Sequence, residues 1–290
     1  MATFADLTWK GEGGVTLYAR DYAGASGPAR CPVLCIHGLT RNSSDFEDVA
    51  PWIAATGRRV LAVDVRGRGR SDRDPVPARY HPKVYAADTL GLLDAAGIAR
   101  AVFVGTSMGG IITMAVAMKR SSAIAAAVLN DVGPMISVHG LERIKAYVGK
   151  GGEVRTWEDA AAYVKSINEV AFPGNTADDW KAWAKRTFRS DADGRIVLDY
   201  DPQIAQAIRG ANLKPTSLLA KMLYRRLARN RPTLLIRGAN SDIVGPEEAA
   251  YMRRAAPTLE YAEVPDVGHA PMLVEPQARA ALASFLAHVA

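Results

Sequence analysis

The 290-residue chain has only two cysteines, Cys31 and Cys35. They stand four residues apart in an apparent strand, about 13 Å at the strand rise and well beyond the roughly 7 Å reach of a disulfide, so both read as buried thiols. No apolar run approaches the ~18 residues that a membrane helix needs, and Met1 to Lys10 has no basic segment leading into an apolar core. These absences predict a cytoplasmic protein with no membrane partner. No grouping of histidines, carboxylates or cysteines has metal-ligand spacing, and Asp64 with Asp72 and Asp74 reads as turn chemistry. The glycine-rich stretches lack both the Walker lysine and the dinucleotide spacing, so neither a metal nor a nucleotide cofactor is expected. Acidic residues are missing from Pro202 to Asn240, which holds eight basic ones: Arg209, Lys214, Lys221, Arg225, Arg226, Arg229, Arg231 and Arg237. Such a stretch can steer anions or touch nucleic acid. Here Leu219, Met222, Leu223 and Leu227 recur at helical spacing with Arg225, Arg226 and Arg229 elsewhere around the turn, which is the pattern of a solvated helix face and predicts no nucleic-acid partner.

What is present is ordinary globular material, 49% hydrophobic and 23% charged with a net charge of +6, long enough for one catalytic unit carrying an insertion. Its centre is Gly105-Thr106-Ser107-Met108-Gly109-Gly110, which follows the apolar run Ala101-Val102-Phe103-Val104 and opens a second one at Ile111-Ile112. This is a strand, a sharp turn and a helix with a serine at the turn. Glycines two residues before and after Ser107 let strand and helix approach where no side chain fits. Backbone N–H groups near Met108, at the start of the helix, point to where a substrate oxygen could gain negative charge.

Around this centre the chain alternates. A hairpin from Thr3 to Trp9 and Val15 to Tyr22 precedes the wholly apolar strand Pro32 to Ile36, which ends in His37-Gly38-Leu39-Thr40. A helix from about Asp45 to Thr56, strand Val60 to Val63 ending in Asp64, and helix Lys83 to Ala96 follow. After the serine strand and its helix, Ala126 to Leu129 is another strand, ending in Asn130-Asp131. The alternation implies a mostly parallel sheet with helices on both faces. From Gly133 to about Asn230 no buried strand is evident, and amphipathic helical patterns carry Trp157, Tyr163, Phe172, Trp180, Trp183 and Phe188. This stretch, residues 133–230, reads as a helical cap whose aromatics form mainly its own core. Residues 1–132 and 231–290 read as the core domain. Strand Thr233 to Ile236, helix Pro246 to Ala256, strand Leu259 to Val264 and helix Pro276 to Val289 complete it.

A serine hydroxyl needs a base, and the base needs an orienting group. His269, in Asp266-Val267-Gly268-His269-Ala270-Pro271, follows the last strand at the carboxyl edge of the sheet that also carries Ser107. Asp242, in Asn240-Ser241-Asp242-Ile243-Val244, follows the strand before it, and loops beyond the carboxyl ends of parallel strands converge. The reading is therefore Ser107 as nucleophile, His269 as base and Asp242 as the acid. Asp131 is the rival acid, otherwise a strand-end residue at the entry to the cap.

With these residues in place the chain resembles the α/β-hydrolase superfamily. The resemblance rests on His37-Gly38, Asp64-Val65-Arg66-Gly67-Arg68-Gly69-Arg70-Ser71, the elbow Gly105-Thr106-Ser107-Met108-Gly109, Asp242 and Gly268-His269. It implies an α/β fold of about eight mostly parallel strands, one of them antiparallel, with the cap inserted after strand six, and an oxyanion hole made by the backbone N–H groups of Leu39 and Met108. His37 would shape its loop rather than transfer protons. The expected activity is a serine esterase or lactonase acting on a small-molecule ester or lactone. Enol-lactonase, simple esterase and perhydrolase-like activities stay open, as do carbon–carbon bond hydrolysis on a ring-cleavage product and a non-catalytic small-molecule-binding role. Arg41, beside the oxyanion loop, or the basic cap segment is a candidate for holding a substrate carboxylate.

Overall fold

Short apolar runs form the centre of the molecule. The computed structural model describes residues 3–150, 153–210, 216–229 and 231–289. Lys214 of the basic stretch, and residues 1, 230 and 290 of the expected domain limits, lie outside them. The chain begins with β1 (Ala5–Lys10) and β2 (Thr16–Tyr22), then β3 (Val33–Ile36), α1 (Val49–Ala54), β4 (Val60–Asp64), α2 (Pro82–Ala95), β5 (Ala101–Thr106), α3 (Met108–Lys119) and β6 (Ile124–Asn130). Next come α4 (Val138–Tyr147), α5 (Trp157–Asn168), α6 (Ala177–Thr187), β7 (Phe188–Ser190), β8 (Ile196–Leu198), α7 (Ile204–Gly210) and α8 (Leu218–Ala228). The chain closes with β9 (Thr233–Gly238), α9 (Pro246–Ala255), β10 (Glu260–Val264) and α10 (Pro276–His288).

Eight strands form one sheet in the order β1-β2-β4-β3-β5-β6-β9-β10. Strand β2 pairs antiparallel with both neighbours, and every pairing from β4 to β10 is parallel. The period-2 alternation of a strand divides its side chains between two cores. Leu34, Ile36, Phe103 and Leu129 join the cluster that includes Leu92 of α2, Ile112 of α3 and Leu227 of α8. Val33, Cys35, Val104 and Val128 join Ile53 of α1 and Leu282 and Phe285 of α10 on the other face. Cys35 is a fully buried thiol, while Cys31 is only partly buried.

The helix expected from Asp45 to Thr56 is divided. A 3-10 turn at Ser43–Phe46, capped by the Asn42 side chain on the Ser44 N–H, precedes α1, which starts only at Val49. Pro51 lies in the first turn of α1, where its missing N–H leaves no intrahelical bond unmade. The turn after β4 is stitched by its own side chains: buried Asp64 accepts from the N–H groups of Ser43 and Arg70, and Arg66 pairs with buried Asp74 and Asp88.

The insertion after β6 has its own small core of Ala160, Val164, Phe172, Trp180, Ala184 and Phe188, with Trp180 stacked on Trp183. It also contains strand, which the pattern did not announce: β7 and β8 form a three-residue antiparallel hairpin. Helix α8, in the stretch expected to form the cap, packs against α3 and α9. Tyr224 and Leu227 lie in the main cluster, and the Tyr224 hydroxyl donates to the Met252 carbonyl on α9. The basic side chains there close backbone gaps: Arg226 donates to the Ala117 carbonyl, Arg229 to Ala255, and Arg231 to Leu227. The cap is tied to the loop after β3. Asn42 donates to the Arg186 carbonyl and to Asp199, and Arg186 pairs with Glu47 and Asp48. Among the described residues no helix is long and apolar enough to cross a membrane.

Candidate active site

Ser107 sits between β5 and α3 with φ 51° and ψ −114°, a conformation that side-chain-bearing residues adopt at a cost of order 1–3 kcal/mol. The turn is crowded. A Cβ at Gly105 would come 2.5 Å from the Gly109 carbonyl carbon, and one at Gly109 would run into the Ile36 carbonyl oxygen. The glycines on either side of the serine are therefore required by close approach of β3, β5 and α3. The Ser107 N–H donates to the Asn130 carbonyl at 3.0 Å, so β6 holds the turn from the side.

His269 lies on the loop after β10, with Nε2 2.8 Å from Ser107 Oγ and Nδ1 2.7 Å from Asp131 Oδ2. With the ionised carboxylate as acceptor, Nδ1 carries the proton and Nε2 is free to accept from the serine. Asp131 is fully buried at the end of β6, adopts a positive φ of 54°, and also accepts from Ser241 Oγ at 2.5 Å and from the Gly238 N–H at 3.2 Å. The His269 loop is held by the cap, since the Gly268 N–H donates to the Ala171 carbonyl at 2.6 Å.

The acid against His269 is thus Asp131 and not Asp242, which corrects the expectation from strand-end position. Asp242 faces the cap. Its carboxylate forms a two-point ion pair with Arg143 of α4, Nη2 lying 2.8 Å from Oδ1, and its carbonyl accepts from Ser137 Oγ. Burial of Asp242 opposes ionisation, but the hydrogen bond and charge of Arg143, helped by His269, outweigh it and hold the carboxyl below the usual carboxylate range. The sequence signal for Asp131 was its place directly after the strand next to the elbow strand, with Ser241 available to bond it.

Leu39 and Met108, the expected oxyanion donors, both lie beside Ser107. Met108 is the first residue of α3, so its N–H has no intrahelical acceptor. The Gly38-Leu39 loop passes close by: a Cβ at Gly38 would stand 3.7 Å from Ser107 Cβ. His37 shapes this loop as expected. It is fully buried, Nε2 accepts from the Val65 N–H at 3.0 Å, and Nδ1 donates to the Gly38 carbonyl at 2.7 Å. Burial pushes its pKa down to about 3, against the raising effect of the Gly38 hydrogen bond and with a further lowering from Arg68, so the ring is neutral. A neutral ring in this tautomer polarises the Gly38-Leu39 peptide and strengthens its N–H as a donor.

Ser107 and His269 open on a cavity of 380 Å³. The cap supplies Ile136, Leu141, Ile144, Ile204, Ile208 and Trp183, and the core domain Leu39, Ile111, Val132 and Leu273. Arg41 lines it too, but its charge is met by Asp45 through Nε at 2.9 Å and Nη2 at 2.5 Å, Nη1 donates to Thr187 Oγ1 at 2.8 Å, and the guanidinium lies 5.0 Å from the Trp183 ring centre. A substrate carboxylate would have to compete with Asp45 for it. Among the described residues no three His, Cys, Asp or Glu side chains converge as a metal site would.

Known proteins agree with this fold. The family model described as alpha/beta hydrolase fold matches residues 32–276. A 3-hydroxybutyrate-oligomer hydrolase of Cupriavidus necator is 35% identical over 86% of this chain and 86% of its own. A 2-(acetamidomethylene)succinate hydrolase of Mesorhizobium japonicum is 30% identical over 91% of this chain and 89% of its own. The crystal structure of an alpha/beta hydrolase from Novosphingobium aromaticivorans superposes with a TM-score of 0.91 and 41% identity, covering 99% of both chains. An eight-stranded sheet with a serine elbow, a family match over most of the length and hydrolase relatives together show that the chain belongs to the α/β-hydrolase family.

Proposed function

We propose that the chain is a serine hydrolase that cleaves a small carboxylic ester or lactone through an acyl-enzyme. The observation that carries this reading is the hydrogen-bonded chain from Ser107 Oγ through His269 to buried Asp131, opening on an apolar cavity. Ser107 Oγ attacks the carbonyl carbon while His269 Nε2 takes its proton, and Asp131 holds the ring in the tautomer that can accept it. The carbonyl oxygen becomes an oxyanion between the Leu39 and Met108 N–H groups. Collapse of the tetrahedral intermediate breaks the bond to the alcohol oxygen, which leaves with the proton from His269. In a lactone that alcohol stays attached to the acyl group. Water, deprotonated by His269, then attacks the acyl-serine and releases the acid and Ser107.

The cavity supports an uncharged acyl group, because its wall is mainly apolar, with isoleucine the commonest residue in it, and the one guanidinium among its described lining residues is already paired. The relative named as a 3-hydroxybutyrate-oligomer hydrolase makes short hydroxyacyl esters part of the same panel. The test is a burst-phase assay with p-nitrophenyl esters from acetate to octanoate, together with the 3-hydroxybutyrate dimer and trimer, on wild type and Ser107→Ala. A chain-length-dependent burst lost in Ser107→Ala supports the reading. No turnover of any ester by folded wild type overturns it.

A further inference from the structure

Arg68 is 1% exposed, yet among the described residues no carboxylate lies within ion-pairing distance of it. Its neighbour Arg66, equally buried, has Asp74 and Asp88. A buried cation without a counter-ion costs several kcal/mol, so the contacts it makes instead call for a reason. Nε donates to the Leu39 carbonyl at 3.0 Å, Nη1 to the Arg66 carbonyl at 2.8 Å and the Tyr85 hydroxyl at 2.9 Å, and Nη2 approaches Met108 Sδ at 3.4 Å. The faces of Tyr85 and Tyr80 lie 5.1 and 5.9 Å from its guanidinium carbon. One planar group therefore touches both residues whose N–H groups border the oxyanion position, one through its backbone and the other through its side chain.

We propose that Arg68 is a positioning residue for acyl transfer: it clamps Leu39 to Met108, setting the separation of the two oxyanion donors, and stands behind them as a buried positive charge. The inference rests on the acyl-enzyme reading above. Among the described residues no carboxylate pairs with this charge, and an opposite charge arises beside it when the tetrahedral intermediate forms, so it favours the intermediate over the bound ester. A lysine reaches either Leu39 or Met108 but lacks the fork that holds both.

The experiment compares wild type, Arg68→Met and Arg68→Lys with p-nitrophenyl butyrate and with a trifluoromethyl ketone, which forms a tetrahedral adduct on the serine. Arg68→Met is expected to lower kcat about 10- to 100-fold with KM nearly unchanged, and to weaken the ketone by the same factor. Arg68→Lys is expected to recover part of both. A lowered Tm with wild-type kcat and ketone affinity in Arg68→Met reduces Arg68 to packing and overturns the proposal. Should Arg68→Met fail to fold, Arg68→Lys decides, because unchanged kcat and ketone affinity there rule out the clamp. Absence of any Ser107-dependent ester turnover in folded wild type removes the acyl-enzyme reading and this proposal with it. A normal burst retained by Arg68→Met removes only the role of Arg68.

Discussion

Asp131 and Asp242 lie in neighbouring loops, and paired substitutions separate them. In Asp131→Asn the amide removes the charge opposite His269 Nδ1. It can also present an N–H there, in which case the ring takes the Nε2–H tautomer and can no longer accept the Ser107 proton. In a serine triad of this geometry that loss is about 10⁴-fold in kcat, equivalent to about 5 kcal/mol. The Gly238 N–H bonds the other carboxylate oxygen, Oδ1, and keeps the amide oxygen as its acceptor there, so the variant is expected to fold. Asp242→Asn instead breaks the ion pair with Arg143, whose side chain is 26% exposed against 22% for Asp242. Partly exposed pairs contribute up to about 1 kcal/mol, so this variant should keep kcat/KM within about tenfold. The assay is steady-state hydrolysis of p-nitrophenyl butyrate, with far-UV circular dichroism and Tm establishing that both variants fold. A folded Asp131→Asn with near wild-type kcat, alongside a severely impaired Asp242→Asn, would falsify the assignment of the acid.

Three further outcomes are expected. His37 has its pKa lowered to about 3 by burial, so the unfolded chain binds a proton between roughly pH 6.5 and 3 that the native state does not. Its contribution to stability is full above pH 6.5 and lost as pH falls through that window; Tm of His37→Asn should accordingly lie below wild type at pH 7 and converge with it in acid, and a constant difference from pH 7 to 4 would contradict the sign. Gly109→Ala drives a methyl into the Ile36 carbonyl and should cost about 1–3 kcal/mol or more in urea unfolding, together with loss of the burst, whereas a neutral variant would mean the elbow is looser than its geometry. Ile144→Phe narrows the cap side of the cavity and should move the chain-length optimum toward acetate, with an unmoved optimum placing the acyl chain elsewhere.

Much of this site is legible in the sequence because it depends on short-range patterns. The glycines flanking Ser107, the buried strand before it and the His-Gly dipeptide after β3 each follow from local sterics, and their order along the chain corresponds to one sheet edge. The acid was harder to place. Asp131 and Asp242 both lie beyond parallel strands, Asp131 directly after β6 and Asp242 four residues past β9, and the pairing of Asp242 with Arg143 of α4 has no local signal. The same holds for α8. Its leucine spacing predicts a helix correctly, but only the long-range contacts of Tyr224 and Arg226 show that it packs against α3 and α9. The β7–β8 hairpin has no sequence signal because each strand is three residues long and half-exposed, too short to display a period. Position and charge make Arg41 a candidate anion site, and the pairing with Asp45 four residues on, with which a substrate carboxylate would have to compete, has no local sequence signal.

The Gly268 N–H bond to Ala171 has a consequence for how such enzymes can be recombined. The cap is commonly pictured as an exchangeable cover that sets substrate range while the sheet does the chemistry. In this molecule one backbone bond from the cap braces the loop that carries the base, and Thr187 and the Arg186 carbonyl reach the segment that follows the oxyanion loop. Grafting a foreign insertion between β6 and α8 therefore changes these contacts along with the pocket, and a donor that supplies a carbonyl at the Ala171 position keeps the bond to Gly268. Deleting the insertion would remove that brace and leave the His269 loop held from the sheet side alone, by Asp131 on the ring, Asn130 on the Pro271 carbonyl and the Asn240 N–H on the Val267 carbonyl.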